Sequence, residues 1–256
     1  MELTHLSLFS GIGGLDLAAE WAGFKTVGQC EFADYPYAVL QKHWPDVPKW
    51  RDIHELTGED FKKRTGIHRP TVVSGGFPCQ PFSQSGKRKG KDDYRFLWPE
   101  MLRVISELKP VWVVGENVVG IMSLGIENCL ADLERIGYTG GILLFPAEAV
   151  GAPFVGNRVF VMAAANGKQR CRMDKDVQDG CANVDIQVHQ KWAPVTYDLP
   201  VSMGRIFDPP SRGICRNDDG LPEGMGRLKC AGNAVVPQQA YPIFKSIAEI
   251  ENMLKE

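Results

Sequence analysis

The sequence predicts an α/β fold: a doubly wound, mostly parallel sheet with a smaller, irregular second lobe. Three observations predict it. Short β-branched runs alternate with longer amphipathic stretches through the first two thirds of the chain, the pattern of strands joined by helical crossovers. Several of those runs are almost continuously apolar, as strands covered on both faces must be. From Asn166 to about Met225 periodicity fades and Gly, Pro, Asp and Asn become frequent.

Seven candidate strands follow in order: Leu3 to Phe9, Thr26 to Phe32, Trp50 to Ile53, Thr71 to Ser74, Val111 to Gly115, Gly141 to Phe145 and Arg158 to Ala164. Leu15 to Trp21, Tyr37 to His43, Trp98 to Leu108 and Ile126 to Ile136 carry apolar residues at three-to-four spacing and read as helices. Regularity returns at Ala240 to Leu254, where Tyr241, Phe244, Ile247, Ala248 and Met253 form an apolar face. That helix is expected to pack back on the first domain, which then comprises residues 1–165 and 228–256, with 166–227 as the small recognition lobe.

The 256 residues are 44% apolar and 23% charged, an ordinary globular balance. With 29 basic and 31 acidic residues, the chain is not one that coats nucleic acid through bulk charge. Seven cysteines without a CxxC pair argue against a disulfide framework or a zinc site, so no metal is expected. No apolar run approaches the ~18 residues of a membrane span, and the first residues lack signal-peptide texture. A cytoplasmic, monomeric protein without a membrane partner is expected.

The segment Phe9-Ser10-Gly11-Ile12-Gly13-Gly14 ends the first strand and opens a helix, where glycines let the backbone approach a ligand at a helix N-terminus. A dinucleotide fingerprint would place a third glycine at position 16, which is Asp16. That favours a different adenosine-bearing cofactor. Glu31, about 20 residues on, stands where a carboxylate takes a ribose hydroxyl pair, and Asp52 is placed to accept from an adenine amino group. The alternative is a plain turn flanked by solvated strand-end acids.

Two glycines and two prolines surround a single cysteine in Gly75-Gly76-Phe77-Pro78-Cys79-Gln80-Pro81-Phe82-Ser83, at the ligand-bearing edge of the sheet. Cysteine is usually a buried small hydrophobe. Between prolines on a loop, it reads instead as a nucleophile. The following stretch, residues 85–95, has five basic and two acidic residues and reads as a lid over a polyanion or as a solvated loop. Glu116, in Gly115-Glu116-Asn117-Val118, reads as ending the fifth strand and as a hydrogen-bond partner or proton donor to a ring nitrogen. Asn233, in Gly232-Asn233-Ala234-Val235-Val236-Pro237, can bring an amide to the cofactor.

In this order and spacing FSGIGG, GGFPCQPFS, GENV, the arginine of GAPFVGNRVF and the late GNAVVPQ resemble the cytosine-C5 DNA methyltransferases, over roughly residues 3–165 and 226–250. The resemblance implies a seven-stranded Rossmann-like methyltransferase sheet and S-adenosylmethionine as methyl donor, with S-adenosylhomocysteine as product. It implies that Cys79 adds to C6 of a cytosine flipped out of double-stranded DNA, that Glu116 engages N3, and that Arg158 holds the base or its phosphate. Phe9, Gly11, Gly13, Gly14, Glu31, Phe32, Asp52, Ile53, Pro78, Leu97, Asn233 and Val235 fall at its cofactor positions. Gln80, Ser83, Ser85, Lys87, Arg88, Lys89, Lys91 and Arg95 are the loop's candidate DNA contacts. Gly156 stands where the family has a first arginine, and the recognition lobe is short. An RNA-directed relative and a silent, DNA- or cofactor-binding relative are the alternative readings.

Overall fold

The computed structural model describes residues 2–78, 97–123, 125–152, 156–166 and 234–255. Their elements are β1 (Thr4–Leu8), α1 (Gly14–Trp21), β2 (Lys25–Cys30), α2 (Asp34–His43), β3 (Lys49–Trp50), α3 (Gly58–Thr65), β4 (Val72–Gly75), α4 (Trp98–Leu108), β5 (Trp112–Val118), α5 (Ile126–Arg135), β6 (Tyr138–Pro146), β7 (Asn157–Ala165) and α6 (Pro237–Met253). The seven strands form one sheet in the order β3-β2-β1-β4-β5-β7-β6. Strand order reverses between β1 and β4, so the crevice outside their carboxyl ends is where an open α/β sheet binds ligands.

The pairs β1–β2, β1–β4, β2–β3 and β4–β5 are parallel, whereas β7 runs antiparallel to both β5 and β6. Only ten residues separate β6 from β7, too few for a helical crossover to a parallel neighbour. Side chains alternate between the two faces as the pleat requires. Val73 and Val113 join Leu6, Leu8, Trp98, Met101 and Ile105 in one core. Val72 and Val114 join Leu15, Ala18, Phe160, Phe244 and Ile247 in the other.

Several boundaries differ from the sequence reading. β3 stops at Trp50, so Asp52 and Ile53 lie in the turn after it. β5 continues to Val118, which places Glu116 inside a strand rather than at its end. The ladder to β7 runs on to Val118↔Arg158 and holds the extra residues. Met253, at the last residue of α6, is exposed instead of joining the helix's apolar face. α3 was not expected, since Phe61 is its single buried residue and one apolar side chain makes no period. Its ends do carry a signal: the Thr57 side chain accepts from Asp60 N at 3.2 Å, and Gly66 terminates the helix at φ +72°.

Among the described residues no helix is long and apolar enough to cross a membrane. No group of three potential metal ligands occurs there either. The lobe expected at 166–227 lies outside the described residues apart from Asn166.

Candidate active site

The glycine loop turns sharply off β1. Gly13 takes a left-handed conformation at φ +89° as it caps α1, and a Cβ there would lie 2.5 Å from the Trp44 ring. Gly14 permits a second close approach, since its Cβ would meet the Val235 carbonyl oxygen at 2.7 Å. The segment leading into α6 is thereby packed on the start of α1. Ser10 N donates to the Cys30 carbonyl at 3.0 Å, tying the loop to β2.

Glu31 folds back onto this loop. Oε2 accepts from Gly11 N and Oε1 from Ala33 N, both at 2.8 Å. The next residue, Phe32, is 74% exposed despite its large apolar ring. In the neighbouring turn Oδ1 of Asp52 accepts from His54 N at 2.9 Å and lies 2.7 Å from His54 Nδ1. These bonds, that from the His54 backbone first, hold the Asp52 carboxyl below the usual carboxylate range. Ile53 points into the core instead.

Beneath the loop sits a buried polar cluster to which the sequence reading assigned no role. Asp16, fully buried in the first turn of α1, accepts from Ser7 Oγ and from Gln29 Nε2, each at 2.9 Å. Burial pushes its carboxyl up to about 6, with the two hydrogen bonds opposing. A carboxylate in place of the third glycine was the signal available for finding it.

The second half of the site is built on β4 and β5. Gly75 pairs with Gly115, and a Cβ on the next residue, Gly76, would lie 2.9 Å from Glu116 Oε2. The Glu116 carboxyl thus lies against the backbone that leads to Cys79. Glu116 is 6% exposed and its Oε1 has no hydrogen-bond partner. Nη1 of Arg158 stands 3.4 Å from that oxygen, within ion-pair reach but without a formed hydrogen bond. Burial pushes the Glu116 carboxyl up to about 7, and the Arg158 guanidinium opposes the rise. Near neutrality the group exchanges a proton readily and has an acceptor left to offer.

Both ends of the cysteine loop are anchored. Asn117 Nδ2 donates to the Phe77 carbonyl at 2.9 Å, a role the sequence reading missed although Asn117 lies in the GENV motif. The Phe77 ring meets Trp98, the first residue of α4, at 5.1 Å between centroids. Pro78 and Leu97, on either side of the loop, are half-buried, and Phe9 packs on the same core as Phe77. Cys79, Gln80, Ser83, Ser85, Lys87, Arg88, Lys89, Lys91, Arg95 and Asn233 lie outside the described residues. Arg158 Nη2 donates to the Ala234 carbonyl at 3.2 Å, so the segment that packs on Gly14 also touches the Glu116–Arg158 pair.

The family model for C-5 cytosine-specific DNA methylase matches residues 3–193. Type II methyltransferase M.NgoMIV of Neisseria gonorrhoeae is 33% identical over 174 residues, 65% of this chain and 53% of the relative. M.PspPI of Psychrobacter is 42% identical over 139 residues, 52% of this chain and 32% of the relative. The chain spans about half the length of the curated relatives it matches. Among solved structures, a DNA modification methyltransferase encoded within an E. coli prophage superposes with TM-score 0.57 at 29% identity, covering 66% of this chain and 48% of that one. Spodoptera frugiperda DNMT2, at TM-score 0.54 and 23% identity over 64% of this chain and 50% of its own, shares the fold. With more than half of its length matched by the family model, the chain belongs to the C-5 cytosine-specific DNA methylase family.

Proposed function

We propose that this protein transfers a methyl group from S-adenosylmethionine to C5 of a cytosine flipped out of double-stranded DNA, through a transient covalent bond to Cys79. The observation that carries the reading is Glu116, a buried carboxyl with an unpartnered oxygen, pushed up to about 7 and lying against the backbone of Gly76 three residues before Cys79. Cytosine C5 is a poor nucleophile until the ring is activated.

Activation requires a nucleophile and an acid together. The Cys79 thiolate forms a bond to C6 as Glu116 delivers its proton to N3, which leaves an electron-rich enamine carbon at C5. When bound, S-adenosylmethionine supplies a sulfonium-activated methyl group to that carbon and departs as S-adenosylhomocysteine. Loss of the C5 proton to water then expels the Cys79 sulfur from C6, and N3 returns its proton to Glu116. Arg158 orients the Glu116 carboxyl and offsets its charge when ionised.

The glycine-loop side fits an adenosine-bearing donor. Each Glu31 oxygen has taken one backbone N–H and keeps a lone pair for a ribose hydroxyl. The exposed Phe32 ring offers an apolar face to a base, and Asp52 Oδ2 is left to accept from an exocyclic amino group. A local charge of +3 over residues 85–95 supports contact with a phosphate backbone.

The test is to incubate the full chain with tritiated S-adenosylmethionine and with duplex DNA or transfer RNA. Label at C5 of cytosine in DNA, absent with Cys79→Ala, is the expected result. Label confined to RNA overturns the choice of substrate. No label, and no trapped adduct with 5-fluorocytosine DNA, overturns the reaction itself.

A further inference from the structure

The cofactor side of the site ends at a turn whose Ile53 and Leu56 side chains are buried in the core and whose backbone closes through Glu55 N to the Asp52 carbonyl at 3.1 Å and Leu56 N to the Ile53 carbonyl at 3.2 Å. Residues 51–57 contain no helix or strand, and the Asp52 side chain is 42% exposed. A row of side chains on α4 adds to this hold by bonding two of the turn's carbonyls, and none of them was singled out in the sequence. Arg103 Nη2 donates to the Ile53 carbonyl at 2.8 Å and Nη1 to the Leu56 carbonyl at 3.1 Å. The same guanidinium is held by both of its helical neighbours: Nε donates to Glu100 Oε2 and Nη1 to Glu107 Oε1, each at 2.8 Å.

The two acidic residues reach the turn as well. Glu107 Oε2 accepts from Gly58 N at 2.7 Å, just beyond its far end. Glu100 Oε1 lies 3.9 Å from Nε2 of His54, whose Nδ1 is 2.7 Å from Asp52 Oδ1. At 3.9 Å the Glu100–His54 approach is longer than a hydrogen bond, so the direct hold on the turn is that of Arg103, whose bonds to the Ile53 and Leu56 carbonyls fix the backbone on which Asp52 rides. Spacings of three and four residues put Glu100, Arg103 and Glu107 on one face of α4. Arginine suits the centre of this row because its planar fork spends separate donors on two carbonyls and two carboxylates at once, which an ammonium cannot match in direction.

We propose that Arg103 is a positioning residue for the methyl donor, holding the turn that presents Asp52 to the adenine amino group. The inference rests on the proposed use of S-adenosylmethionine and deepens it. Arg103 touches neither substrate nor donor. Its effect is to fix Asp52 before binding, so that ordering the turn is not subtracted from the donor's affinity. α4 also begins at Trp98, against Phe77, so the helix that fixes the adenine end is the one that leaves the cysteine loop.

The experiment compares wild type, Arg103→Met and Arg103→Lys by calorimetric binding of S-adenosylhomocysteine and of its inosine analogue, which lacks the amino group. Expected for Arg103→Met is about tenfold weaker S-adenosylhomocysteine binding and a matching rise in KM for the donor, with kcat at saturation within about twofold, the pattern of lost ground-state binding. The wild-type preference for adenine over hypoxanthine is expected to shrink in Arg103→Met, a readout that a general loss of stability would not move. Arg103→Lys, which keeps the charge and the packing stem, is expected to fold like wild type and to recover only part of the preference. Unchanged adenine preference in both variants overturns the proposal while the proposed function stands. Wild type that binds neither ligand overturns the proposed function, and this inference with it.

Discussion

Glu116 and Arg158 are diagonal neighbours on one face of the β5–β7 ladder, their side chains 3.4 Å apart. Glu116 pairs with Phe160 and Arg158 with Val118, so the two side chains sit two steps apart on adjacent strands. The antiparallel turn back of β7 makes this meeting possible. In an all-parallel sheet a crossover helix would precede the seventh strand, and its carboxyl end rather than its start would lie at this edge.

Replacing Glu116 by Gln is expected to lower the methyl-transfer rate by about a hundredfold or more while preserving the fold, the size of a lost general acid. Linkage gives a second readout. The native carboxyl titrates near 7, against an ordinary value of 4.5, so wild-type stability is favoured by this group at low pH and declines as pH rises from about 4.5 to 7. Urea unfolding at pH 5 and pH 8 is expected to show a smaller decline in the Gln variant.

Removing the guanidinium in Arg158→Met takes away the charge that opposes the rise of Glu116. The carboxyl then stays protonated to higher pH. The high-pH limb of the kcat/KM profile is expected to move upward, together with a fall in maximal rate. An unmoved limb would show that Glu116 is not the group being titrated.

Gly14→Ala introduces a Cβ 2.7 Å from the Val235 carbonyl oxygen, a backbone atom that cannot swing aside. Overpacking of this kind costs about 1–3 kcal/mol. A lower melting temperature is expected, with weaker S-adenosylhomocysteine binding if α1 and the segment before α6 border the donor site as proposed. Equal melting temperatures for variant and wild type would contradict this packing.

Gln239 donates from one amide nitrogen to the Phe145 and Gly156 carbonyls, both at 2.8 Å, and so holds the start of α6 to the β6–β7 connection. Gln239→Leu removes that donor from both carbonyls, but the Gly156 carbonyl keeps Ala147 N at 3.0 Å, so the loss is that of hydrogen bonds rather than of two orphaned groups. Chemical denaturation is expected to show a loss of about 1 kcal/mol, with the unfolding slope unchanged.

Asp16→Leu removes the acceptor for Ser7 Oγ and Gln29 Nε2 in a site closed to solvent. Leaving two buried donors unpaired is expected to destabilise the protein by about 2 kcal/mol or more. Asp16→Asn, which keeps the shape and one acceptor, is expected to lose less. Wild type carries a further decline in stability as pH rises from about 3.8 to about 6, since the native carboxyl holds its proton longer than the unfolded one. The Asn variant is expected to lack that decline in thermal melts.

The local pattern determined a good deal of this protein. Short β-branched runs, several of them almost continuously apolar, announced the strands because a strand buried on both faces has no polar face to show, whereas β3 was met only at Trp50. α4 was legible to the residue from its three-to-four spacing, and Gly13 and Gly14 were legible as a turn because their close backbone packing leaves a local mark in glycine. Tertiary structure alone decided that β7 runs backwards, that Asn117 grips Phe77, that Arg158 reaches Glu116, and that Arg103 holds the Asp52 turn. Those relationships join residues tens of positions apart, and a hydrogen bond between distant segments depends on where the sheet and helices bring them, which no window of neighbouring residues encodes.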